Sequence, residues 1–166
     1  MLRAVNSDLA QWHDLFAAAA GTAGSLAGLI FVSVSINIDR ILKLEGVAER
    51  GLQTVVLLLG AVVVSILALM PQPIEALGIE VFAAGVALTT MIAVTSRTTL
   101  RAVAGHPSWV LSRLLTTAPG TVPYLVGGVS LILGTGGGLV WLVVGVMGAM
   151  VGSVLNAWVL LVEILR

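Results

Sequence analysis

Five long apolar stretches, separated by short connections rich in Pro, Gly, Arg and acidic residues, account for most of this chain. They run from about Leu15 to Asp39, Gln53 to Met70, Ile74 to Thr95, Ala118 to Gly134 and Leu139 to Ile164. A helix needs about 20 mainly apolar residues to cross roughly 30 Å of hydrocarbon, so each stretch predicts a transmembrane span. The expected fold is all-α, a polytopic transmembrane helix bundle of five spans that occupies residues 1–166 as a single domain. Span four is the weakest of the five, because Pro119, Pro123, Gly127 and Gly128 fall within a short apolar core. A four-span arrangement would make it re-entrant.

Two amphipathic segments accompany the spans. Leu9, Trp12 and Phe16 recur at helical spacing after Asn6 and Ser7, either of which can cap a helix, so the N-terminal segment is expected to lie at the interface before span one. Asp8, His13 and Asp14 ahead of the apolar run argue against a cleavable signal peptide. Between spans three and four, Trp109, Val110, Leu111, Leu114 and Leu115 alternate with Ser108, Ser112 and Arg113, which predicts a short surface helix over Pro107 to Thr117. Trp12, Trp141, Tyr124 and Trp158 are read as aromatic-belt residues at the two membrane surfaces.

Composition agrees with a lipid environment. The chain is 58% hydrophobic and 10% charged, with a mean hydropathy of +1.12, too little polarity for the surface of a soluble domain of this size. Charge then orients the bundle. Arg40, Lys43 and Arg50 share one connection, Arg97, Arg101 and Arg113 another, and Arg166 ends the sequence, whereas the connections near Pro71 and Thr135 carry no basic residue. With five spans the positive-inside rule places the N-terminus outside and the C-terminus in the cytoplasm. Seven Arg beside one Lys, with abundant Ala, Gly and Val, point to a bacterial plasma (inner) membrane. There is no cysteine, which excludes disulfides, thiolate metal sites and thiol nucleophiles.

Small residues are the best-marked pattern within the spans. In span one Ala20, Gly24 and Gly28 are spaced by four, and Gly21, Ser25 and Gly28 lie on a heptad stripe that continues to Ser35 and Asp39. Span five has Gly145, Gly148 and Gly152, with Ser153 and Asn156 on the same stretch. Both seams predict close helix packing, within the chain or between copies. Deep polar residues are neutral, and Asn156 is expected to find Ser33 or Asn37 at a similar depth, as interhelical glue or as a polar lining alongside Ser25 and Ser153. At the inner end, Asp39, Arg40, Arg97, Arg101, Glu163 and Arg166 predict an ion-pair network, and Arg97, Arg101 and Arg113 alternatively suit anionic lipid headgroups. On the outer face Asp8, Asp14, Glu75 and Glu80 surround His13 without metal-ligand spacing.

Catalysis has little to build on. His13 and His106 are the only histidines and are expected on opposite sides of the membrane, and the glycine run from Gly134 to Gly138 lacks the Lys-Ser/Thr of a phosphate loop. No enzyme activity, cofactor, metal or nucleic-acid partner is expected. Trp12-His13-Asp14-Leu15-Phe16, the run LAGLIFVSVSINI from Leu26 to Ile38 and the terminal NAWVLLVEILR from Asn156 to Arg166 resemble a group of small, uncharacterised bacterial multi-pass membrane proteins. That resemblance implies architecture and no mechanism. The expected function is that of a non-enzymatic membrane protein working through helix packing, as a homo-oligomer or as an accessory subunit of a membrane complex. The alternative is a small homo-oligomeric channel lined by the Gly, Ser and Asn seam of span one or five.

Overall fold

The computed structural model describes residues 2–44, 46–102 and 115–165, with side chains over 11–44, 46–96 and 115–162. Five long helices follow the apolar stretches: α1 (Leu2–Ile36), α2 (Val47–Leu69), α3 (Ile74–Ala102), α4 (Val122–Leu133) and α5 (Gly138–Leu165). A single helical turn, Ile38–Ile41, follows α1, and a 3-10 turn, Ala118–Gly120, precedes α4. Each of the five is part of a segment long and apolar enough to cross a membrane, the fourth only when Leu115–Leu133 is taken together. This is the architecture of a multi-pass helical membrane protein.

Local chemistry explains the breaks. Asn37 ends α1 by donating its side-chain amide to the Ser33 carbonyl at 2.9 Å, with φ −104° and ψ 14°. This is the competition with the helix ladder that Asn side chains favour. Met70, extended at ψ 136° before Pro71, ends α2. The next turn is tied by Gln72, whose Nε2 donates to the Leu67 carbonyl and to Glu80 Oε2, both at 3.0 Å. Gly134 caps α4 in the left-handed region (φ 64°), where its N–H meets the Leu131 carbonyl, and Gly136 and Gly137 also have positive φ. The tight hairpin into α5 requires those three glycines.

Helix α2 is the centre of the bundle and packs on α1, α3 and α5, while α4 is held between α3 and α5. In its apolar window 56% of the residues are buried, against 22% in α1, so α1 is the peripheral helix. Phe16, Ala19, Ala23 and Ala27 form a buried stripe of α1, in one apolar cluster with Leu57, Leu58, Ala61 and Val64 of α2, the helix on which α1 packs. A smaller cluster of Ile41, Val47 and Leu160, with Val34 against it, fastens the turn after α1 to α2 and α5.

Two boundaries differ from expectation. Helix α1 begins at Leu2, so Asn6 and Ser7 lie inside it rather than at its start, and the N-terminal segment and span one form one helix. Helix α2 starts at Val47 rather than Gln53, since Val47 and Gly51 are already buried there. The surface helix expected from Pro107 to Thr117 falls mostly outside the described residues, of which Leu115 to Thr117 are helical.

Candidate functional site

The interior of the bundle carries a polar node on α2 toward the end that bears Arg40 and Arg50. Gln53 is 1% exposed. Its Nε2 donates to Thr95 Oγ1 and Ser96 Oγ at 3.0 Å each and to the Ile92 carbonyl at 3.4 Å, which joins α2 to α3. The two hydroxyls in turn donate to carbonyls of their own helix, Thr95 to Met91 and Ser96 to Ile92. On the opposite side Ser153 Oγ donates to the Thr54 carbonyl at 3.3 Å, which joins α2 to α5, while Thr54 Oγ1 donates to the Arg50 carbonyl at 2.8 Å. These groups are held by one another and by backbone, so chemically the node is a clamp that fixes helix register. Asn156, one turn beyond Ser153, is also buried. Among the described residues no hydrogen bond joins it to Ser33 or Asn37 of span one, and α1 and α5 scarcely touch.

The second feature is the broken fourth span. Pro123 has no N–H to give the Pro119 carbonyl, and the chain passes from a 3-10 turn into α4 through Thr121 (φ −126°, ψ −47°). That interrupted backbone lies directly on the glycine face of α5. A Cβ on Gly148 would come within 2.5 Å of the Pro119 carbonyl carbon and closer still to its oxygen, and a Cβ on Gly152 would collide with the Thr116 oxygen. The span-five seam is thus used inside the chain, where it lets irregular backbone pack at membrane depth. On the other face, a Cβ on Gly78 of α3 or Gly128 of α4 would stand 3.0 Å and 2.9 Å from the other glycine's carbonyl oxygen. Gly127 and Gly128, which weaken span four as a helix, are what allow it to be wedged between its neighbours.

Tyr124 departs from the aromatic-belt expectation. It is 0% exposed, with its ring over Gly145 and its Cβ near Gly85, because glycines on both adjacent helices open a slot for it. Its hydroxyl and Ser65 Oγ are buried without a hydrogen-bond partner among the described residues. Trp158, 66% exposed, and Trp141 do face outward, and Trp12 is half-buried.

The span-one seam is placed differently from that of span five. Gly21, Gly24, Ser25, Gly28 and Ser33 all face outward. A Cβ at Gly21 or Gly28 would meet nothing within 4 Å, and at Gly24 only Val62 at 3.9 Å. Ser25 donates to the Gly21 carbonyl at 2.8 Å, so its polarity is absorbed by its own helix. Among the described residues no close partner covers Gly21 or Gly28 on this face. At the inner end, Asp39 and Arg40 are exposed and form no ion pair among the described residues. The side chains of Arg97, Arg101, Glu163 and Arg166, and the whole of Arg113, lie outside the described residues. At the other end His13 Nδ1 stands 3.9 Å from Asp14 Oδ1, both solvent-exposed, a contact of little energetic weight. No group of three His, Asp or Glu among the described residues could hold a metal ion.

Sequence reading does not single out Thr54, Gly78 or Gly85, and it places Tyr124 in the aromatic belt rather than in the core. Gln53 offers a signal, an amide at the start of an apolar run, but in the sequence it reads as the boundary of span two. No protein-family model matches the chain, and no curated protein or solved structure matches it either. The resemblance to a bacterial group therefore receives no support from relatives, and what stands is the multi-pass helical membrane architecture.

Proposed function

We propose that the chain is a non-enzymatic integral membrane protein that works by packing the outward seam of α1 against another transmembrane helix, in a homo-oligomer or in a larger membrane complex. The observation that supports this reading is the contrast between the two small-residue seams. Gly148 and Gly152 of α5 are filled by the chain's own backbone, whereas Gly21 and Gly28 of α1 face open space. Small residues turned to lipid gain nothing there, while the same residues against a second helix allow close backbone approach and van der Waals gain. The peripheral position of α1, held to the bundle along one stripe, leaves that face accessible. In this reading the N-terminus is outside, the C-terminus is cytoplasmic, and Arg40, Lys43 and Arg50 lie on the inner surface of a bacterial plasma membrane, as the positive-inside rule directs.

The test is native mass spectrometry of gently extracted protein, natural sequence against Gly28→Leu. Leucine fits the single chain because nothing stands within 4 Å of that position. The expected result is an assembly, with copies of itself or with a stoichiometric partner, that the variant loses while keeping its helical circular dichroism. An assembly indifferent to Gly28→Leu overturns the reading. The same outward face favours one alternative, a channel formed by several copies with Ser25 and Ser33 toward a shared axis. Ser33→Leu would then abolish flux without dissociating the assembly.

A further inference from the structure

Beside the turn that follows α1 lies a cleft of about 370 Å³, lined by Ser33, Asn37 and Arg40 on one side and by Val154, Trp158 and Leu161 of α5 on the other. We propose that this cleft binds one anionic phospholipid, with an acyl chain in the apolar groove between α1 and α5 and the phosphate on the Arg40 guanidinium.

The lining points to a lipid: apart from Ser33, Asn37 and Arg40 the walls are apolar, which suits an acyl chain, and the Arg40 guanidinium places a cation on that apolar groove. Its wall is continuous with the Ile41, Val47 and Leu160 cluster and Val34. Its lips open sideways to lipid, since Trp158 is 66% and Leu161 49% exposed. The site therefore admits a chain laterally from the bilayer. Charge points to an anionic headgroup. Arg40 lines the cleft, is exposed, and has no carboxylate within ion-pair distance among the described residues, its neighbour Asp39 included. A guanidinium presents a planar fork of donors suited to phosphate oxygens, and its long stem reaches the interface from an apolar wall. Trp158 marks the same level, as indole rings do at the headgroup boundary. Exposed Lys43, three residues on, adds charge of the same sign.

Trp158 is also the reporter. In the single-tryptophan protein W12F/W109F/W141F, reconstituted in vesicles, brominated phosphatidylglycerol is expected to quench Trp158 more strongly than brominated phosphatidylcholine at equal mole fraction. The relative affinity should be about tenfold in favour of the anionic lipid, the scale of a charge-assisted hydrogen bond near water. Arg40→Gln is expected to bring the two lipids level. Equal quenching before the substitution, or a preference that survives it, overturns the site. Native mass spectrometry of the natural sequence from mixed micelles gives a second readout independent of the tryptophan substitutions. One retained phosphatidylglycerol per chain, lost in Arg40→Gln and in the cleft-filling Ala157→Trp, supports the proposal, and retention unchanged in both variants, or a protein chain held in the cleft, defeats it.

Discussion

Replacing Gly148 by alanine adds one methyl group, yet it should be among the more damaging small changes in this chain. The new Cβ would stand 2.5 Å from the Pro119 carbonyl carbon, where ordinary contact is 3.4–4 Å, so the broken segment must retreat by about 1 Å. Overpacking of this kind costs about 1–3 kcal/mol, and losing the close Cα–H···O contact adds about 0.5–1 kcal/mol. Alanine's better helix propensity returns about 1 kcal/mol, which leaves a net loss of about 0.5–3 kcal/mol. The same substitution at Gly21, where no atom lies within 4 Å, carries only the favourable propensity term. The two alanine variants should therefore differ by about 1.5–4 kcal/mol, more than tenfold in the folding equilibrium. Because the natural chain has no cysteine, Ala61→Cys at a fully buried position of α2 supplies a single thiol whose labelling reports unfolding in an SDS titration. A Gly148→Ala protein as resistant as Gly21→Ala would refute the packing of span four on α5.

Further substitutions separate the remaining contributions. Gln53→Leu should cost about 1 kcal/mol or less, since Thr95 and Ser96 keep their bonds to their own helix, whereas Gln53→Ala also leaves a cavity and should cost about 2 kcal/mol or more by the same titration. Tyr124→Phe should be neutral or stabilising by up to about 1 kcal/mol, because the hydroxyl it removes has no hydrogen-bond partner among the described residues, while Tyr124→Ala should cost about 3–5 kcal/mol. At the hairpin, Gly134→Ala should lower stability by about 1 kcal/mol and Gly134→Asn by less, given the left-handed backbone at φ 64°.

The five spans were legible because lipid demands long apolar helices, and hydropathy measures that demand directly. Which face of each helix meets which neighbour was not. In water an apolar stripe marks the buried side, but in lipid both sides are apolar: Phe16 is 1% and Phe31 64% exposed on one helix. Periodicity cannot separate such pairs. Small residues carry more of the packing signal, yet even they are ambiguous, since equal stripes on α1 and α5 end in opposite settings, one open and one filled by Thr116 and Pro119. Proline and glycine in span four read as helix weakness when the neighbours are unknown. They become fitting surfaces once Gly78 and Gly148 are beside them. The polar clamp at Gln53 was hidden for a related reason, because an amide at the start of an apolar run resembles a boundary residue until its partners on α3 are placed.

The most direct test of α1 as the contact face is site-specific photo-crosslinking in native membranes. A benzophenone attached to Ser25→Cys, on the outward seam, is compared with one attached to Val151→Cys, which is 59% exposed on α5. Packing through α1 predicts that the Ser25 probe captures one defined polypeptide, a second copy or a single partner, while the Val151 probe yields lipid adducts alone. Lipid adducts alone from both positions would contradict it.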